Sequence, residues 1–262
     1  MWRHASLVLA ALAAPAGAQA QTVGSVTSAN QQARGTPPGG AARPLSLGLG
    51  IVQNERIQTD AAGTAQISFN DRSTMSIGRS STVVVNRHVY DPGSGTGAQA
   101  TSLLRGALRY VGGDVSHGGN ATVTTPVATL GVRGGVASIA LEQQGGRQVL
   151  KVTNHYGQVT IRNSAGVFTL SRADMQVIVD GPNALPRPAG FADPATMTLF
   201  DQGLASNPRQ SGGARVKPSD AAMARQGVRS PRLGVEAPSI DLPAAADEAT
   251  RKGVEGERRR VF

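Results

Sequence analysis

Residues 64–77 read Thr64-Ala65-Gln66-Ile67-Ser68-Phe69-Asn70-Asp71-Arg72-Ser73-Thr74-Met75-Ser76-Ile77. This stretch decides the fold class. Ala65, Ile67 and Phe69 alternate with polar residues, and Met75 and Ile77 resume the alternation after a turn at Asn70-Asp71. A period of two puts one set of side chains on one face of a half-buried strand. Similar runs follow at Thr82–Asn86, Leu103–Val111, Ala121–Thr125, Val136–Glu142, Gln148–Thr153, Gln158–Arg162, Val167–Ser171 and Met175–Val179. Turn residues separate them, among them Gly78, Gly112-Gly113, Gly145-Gly146 and Gly181-Pro182. No stretch here holds a helical period for three turns. The pattern predicts one all-β domain of many short strands. The close spacing and small inward residues such as Ala65 and Ala137 favour a β-solenoid-like arrangement, with a β-sandwich as the alternative.

Composition sets the outer limits. The chain has 262 residues, no cysteine, 33 glycines and 15 prolines. Disulfide frameworks, zinc knuckles, iron–sulfur sites and thiol nucleophiles are excluded. The net charge of +9 is uneven: residues 45–181 hold 11 Arg and Lys against 8 Asp and Glu. The remaining excess lies outside that block, which argues against a dedicated nucleic-acid binder.

The organisation follows from composition along the chain. Residues 1–20, MWRHASLVLAALAAPAGAQA, show a short positive start, an apolar run and a small-residue cleavage site. They read as a secretory signal peptide cut between Ala20 and Gln21, giving a periplasmic or secreted chain. The apolar run is shorter than the roughly 20 residues of a membrane span, and the mature chain is expected to contain no transmembrane segment. Residues 21–44 are small, polar and Pro/Gly-rich and read as a flexible linker. The β domain is placed at 45–188. Residues 189–262, rich in Pro, Ala and Arg, read as a mostly disordered tail.

Chemical motifs are sparse. Gly95-Thr96-Gly97-Ala98-Gln99-Ala100 superficially fits a dinucleotide fingerprint, but a strand follows where a helix is required, so a hairpin loop is the better reading. His88, His117 and His155 lack metal-ligand spacing and read as surface or loop residues. Asp60, Asp71, Asp91, Asp114, Asp174 and Asp180 sit at turns, where the carboxylate caps its own backbone. Two of them in a groove would make a glycosidase pair, but nothing in the sequence selects a pair. No cofactor, metal or catalytic group is assigned.

One string is more specific. Thr125-Pro126-Val127-Ala128 leads into Gly131-Val132-Arg133-Gly134. With Gly106–Val111 before it and the strands around Ile57, Ala65–Phe69 and Asp71–Gly78 upstream, this order resembles the FecR domain over about 140 of the 262 residues. The family is a periplasmic all-β module. The resemblance implies structural roles for Thr125, Pro126, Gly131, Arg133 and Gly134: Gly131 and Gly134 let the chain bend beside Arg133, and Arg133 staples the turn to a nearby carboxylate or is offered to a partner, with stapling favoured. There are departures. Gly135 stands where the family has Thr, Glu55-Arg56 replaces a Gly-Asp pair, and Arg72 replaces a turn glycine, which suggests a different turn type there.

The family's signalling members resemble membrane-anchored anti-sigma regulators. A cleavable signal in place of their anchor implies no direct sigma-factor or iron-dicitrate role. The sequence therefore points to a non-enzymatic exported module that binds a periplasmic or cell-surface protein, or an envelope glycan, with a role in envelope signalling. The alternatives are a carbohydrate-active enzyme on a β-solenoid and a surface-assembly component. The oligomeric state is left open.

Overall fold

The computed structural model describes residues 21–30 and 32–192; the predicted signal peptide with Ala20, and the tail from residue 193, lie outside the described residues. The strands are β1 (Thr22–Ala29), β2 (Ala33–Thr36), β3 (Arg43–Pro44), β4 (Gly50–Val52), β5 (Glu55–Thr59), β6 (Ala65–Phe69), β7 (Thr74–Ile77), β8 (Thr82–Asp91) and β9 (Thr96–Val111). One helical turn, α1 (Asp114–His117), precedes β10 (Ala121–Thr124), β11 (Thr129–Gln144), β12 (Arg147–Asn163), β13 (Gly166–Leu170), β14 (Met175–Val179) and β15 (Arg187–Phe191). The domain is all-β, as the alternation predicted. All strands join one mixed sheet, antiparallel except where β9 and β10 run parallel.

The strands are longer than the sequence suggested. β9, β11 and β12 span 16, 16 and 17 residues, and each is shared between two sets of neighbours. The first half of β11 pairs with β10 and its second half with β9. The second half of β12 pairs with β13 and its first half with β14. The change of partner falls at glycines. Gly135 (φ 142) and Gly157 (φ 81) face each other across the β11–β12 ladder, where the register shifts between Arg133 and Gly135. A Cβ on Gly157 would collide with the Gly134 carbonyl oxygen, and one on Gly135 with that of Tyr156. The backbones cross there because neither residue has a side chain.

Inward positions of these strands fuse into one core. Ile57, Ile67, Ile77, Leu103, Leu108, Leu130, Ile139, Leu150 and Ile161 are all fully buried. Ala65 and Ala137 point inward as expected, and Ala65, Ile67 and Phe69 share the buried face.

Residues 21–44 are not a linker. β1 pairs with β4 on one side and β6 on the other, and β2 pairs with β5. Val23, Val26, Ala29 and Ala33 enter the core. Only two of these residues are large, so the inward face is hidden among Ser, Thr and Gly. A partly buried ion pair ties the segment down. The Arg43 guanidinium donates to both oxygens of Glu55 at 3.0 Å, and the Val52 amide donates to Oε2 at 3.0 Å. The Glu55 side chain is fully buried, and Gly35 leaves room for it. The sheet thus begins at Thr22 rather than residue 45, and β15 carries it to Phe191, past residue 188.

Candidate functional site

Three chemistry-bearing features of the sequence meet around α1. The first is the β6–β7 turn. Asp71 is fully buried, and its Oδ1 accepts from the Ser73 amide (3.1 Å) and hydroxyl (2.6 Å) while Oδ2 accepts from the Val115 amide (3.3 Å). The Asp114 amide donates to the Asp71 carbonyl at 2.9 Å, so the turn and α1 are bound together. Asp60 and Asp91 form the Asx turns expected of them, accepting from the amides of Ala62 and Gly93 at 3.0 Å. The second feature is Arg72. It keeps the left-handed conformation of a turn glycine (φ 67) rather than adopting another turn type. That costs about 1 kcal/mol for a side chain with a Cβ. The Arg72 guanidinium pairs with Asp114, and the Tyr90 hydroxyl donates to the other Asp114 oxygen at 2.5 Å. Burial opposes ionisation of Asp114, but these two donors outweigh it and hold the carboxyl below its ordinary range.

The third feature is His88. It is buried, not at the surface, and its ring stacks on Phe69 at 5.2 Å between centroids. A register shift between Val84 and Arg87 reverses the inside–outside alternation of β8, so Val83 and Val85 point inward and then His88 does. Burial lowers the His88 pKa, opposed by Asp71, whose Oδ1 lies 3.9 Å from Nε2. Nearby, the Tyr110 hydroxyl donates to Gln99 Oε1 at 2.6 Å, and burial pushes that hydroxyl up.

The 125–134 string divides into parts with different work. Thr125 locks the β10–β11 turn: its Oγ1 accepts from the amides of Val127 (3.2 Å) and Ala128 (3.0 Å) and donates to the Ala128 carbonyl (2.8 Å). Pro126 sits in that turn, where its missing N–H costs nothing. Gly134 has positive φ (43) and packs near His117 of α1. Gly131 does not bend the chain. Its φ is ordinary for a strand, and a Cβ there would have no atom within 4 Å. Arg133 is not the staple. It points outward on β11 over the Gly118-Gly119 turn, and no carboxylate bonds to it among the described residues. The stapling cation is Arg72 on Asp114, a residue that stands out in sequence only as a departure from the turn glycine of the family pattern.

Asp71 and Asp114 are neighbours, yet Asp71 is sealed from solvent and its oxygens are engaged, so it has no access to a sugar. The Gly95–Ala100 segment forms a hairpin tip and the start of β9, as expected. Among the described residues no group of three metal-ligating side chains converges, and no helix is long and apolar enough to cross a membrane.

Residues 55–176 match the family described as FecR protein. No curated protein matches the sequence. Two crystal structures of a candidate anti-sigma factor from Parabacteroides distasonis, at 2.50 and 1.65 Å resolution, are similar at 16% identity over 56% of this chain. Their TM-scores are 0.44 and 0.43, and the matched part spans 64% and 65% of those chains.

Proposed function

We propose that this chain, whose residues 55–176 match the FecR family, is an exported, non-enzymatic binding module with a role in envelope signalling. It acts in the periplasm or at the cell surface and engages a protein partner or an envelope glycan. The observation that carries the reading is Arg133. Its guanidinium is exposed, without a carboxylate partner among the described residues. It stands beside an α1 turn clamped by Arg72, Asp114 and Tyr90. An exposed, unneutralised cation suits recognition of an anionic group by charge-assisted hydrogen bonds. The carboxylates near it are spent on internal structure, which supports binding over hydrolysis.

The test uses the full chain. Immobilised protein and an Arg133→Gln variant are exposed to envelope extract at low salt, and cell fractions are probed for the chain beginning at Gln21. A partner retained by the wild type and lost by the variant, with the chain found outside the cytoplasm, is the expected result. Cytoplasmic retention, equal capture by both proteins, or turnover on a glycan panel would overturn the proposal.

A further inference from the structure

The outward residues of the six strands around Gly131 form a continuous face. Pairing aligns Ala100, Thr122, Gly131, Thr160 and Thr169 side by side across β9 to β13. The next row carries Thr124, Thr129 and Arg162 in the same register. Their sequence neighbours Val123, Leu130, Val132, Val159 and Ile161 point into the core. Strand spacing puts these groups about 4.8 Å apart across the sheet and roughly 7 Å apart along it. The hydroxyl of Thr122 donates to the Gln99 carbonyl at 3.2 Å. Those of Thr124, Thr129, Thr160 and Thr169 have no partner within the described residues.

Two further observations give this face a ligand. Gly131 sits at its centre with an ordinary backbone and empty space above it, so packing does not require a glycine there. The consequence of glycine is a smooth floor. Around that floor stand Arg87 on β8, Arg133 on β11 and Arg162 on β12, all exposed. Arg133 and Arg162 lie two rows apart, about 14 Å along the strands. No carboxylate projects from these rows on β9 to β13.

We infer that this face docks an acidic polysaccharide, its carboxylates held by the arginines and its hydroxyls by the threonines. The inference rests on the reading of the domain as a binding module and names its partner class. Guanidinium groups pair bidentately with carboxylates, and a bare hydroxyl array matches a chain rich in hydroxyls. The rows on β9 to β13 offer no aromatic ring, which disfavours neutral sugars and single-stranded nucleic acid, both of which stack on rings. They also lack the large buried anchors of protein interfaces.

The test is affinity electrophoresis of the full chain in gels containing polygalacturonate, dextran or a single-stranded polynucleotide. Retardation by polygalacturonate alone, abolished at about 0.5 M salt, is expected. Gly131→Leu, which raises the floor without a clash, and the double variant Arg133→Gln/Arg162→Gln should each weaken it by roughly tenfold or more. Arg147→Gln, an exposed arginine at the β11–β12 hairpin away from this face, should bind as wild type; unchanged melting verifies that each variant folds. Absence of retardation, retardation by dextran or polynucleotide to the same degree, or binding that survives Gly131→Leu would overturn the inference. Capture of a protein from envelope extract without polygalacturonate binding would overturn it too, while leaving the binding-module reading in place.

Discussion

Removing the segment before residue 55 should unfold the domain, although the family match begins there. Val23, Val26, Leu45 and Ile51 are each under 5% exposed, and all lie outside 55–176. Burying a Val, Leu or Ile side chain stabilises by about 1.5–3 kcal/mol, so these four contribute about 6–12 kcal/mol. Compactness of the unfolded chain makes that an upper estimate. Deletion also strips β6 of its β1 partner and leaves Glu55 without Arg43, and trimming the chain to 55–176 further loses Val177 and Val179 at the other end. A domain of this kind has a net stability of about 5–15 kcal/mol, so the loss consumes most of it. The assay is urea and thermal unfolding of residues 21–192 and 55–176, followed by far-UV circular dichroism. The longer piece should melt in one cooperative transition and the shorter should show none. If 55–176 melts cooperatively within a few degrees of 21–192, the reasoning about the first strands is refuted.

Other outcomes follow from single positions. Gly157→Ala sets a Cβ against the Gly134 carbonyl at positive φ and should cost at least about 3 kcal/mol, whereas Gly131→Ala should stay within about 0.5 kcal/mol; equal losses in chemical denaturation would contradict the assignment of the crossing. Arg72→Ala keeps the strained φ and loses a largely exposed pair, and Arg72→Gly relieves the strain, so the Gly variant should be the more stable by about 1 kcal/mol; the reverse order in urea midpoints would refute the strain argument. His88 has a pKa lowered by burial, so below the unfolded value of about 6.5 the unfolded chain takes up a proton that the folded chain does not, and stability falls as pH drops toward the folded pKa. The urea midpoint should therefore fall more between pH 7.5 and about 5.5 in the wild type than in His88→Phe, and parallel profiles would reject the assignment. Asp114 acts in the same direction at lower pH: its depressed pKa gives stability above about 3.9 that is lost on acidification, and Asp114→Asn should flatten that limb of the profile.

The strands from Ala65 to Val179 were legible because their inward residues are large and alternate strictly, as in Ala65-Gln66-Ile67-Ser68-Phe69. β1 was not, because its buried face is made of Val, Ala, Gly and Ser, a composition shared with linkers. The inward position of His88 was hidden by a bulge, since one extra residue after Val84 exchanges the two faces of a strand and leaves no trace in local composition. The length of β9, β11 and β12 was hidden for the opposite reason. Gly157 and its partners look like turn residues in sequence, yet here they let one strand pass from one set of neighbours to the next. Thr125 was identified as a structural position, and its turn-locking bonds give that role a mechanism. Arg133 was identified as the residue of interest, but its outward direction depends on which neighbours flank β11, and that is a tertiary fact.

The sharing of β9, β11 and β12 between two sets of neighbours has a consequence for how the domain opens. Exchange of a buried amide with solvent requires its ladder to part. A fold made of separate sheets parts in pieces, and its slowest amides fall into groups with different exchange rates. Here Leu130 and Ile139 lie on one strand, and so do Leu150 and Ile161, on either side of the glycine crossing. Neither region can open without dragging the other's backbone. The central amides of both halves should therefore exchange at one common rate, set by global unfolding, while β3 and β15 at the margins exchange ahead of them.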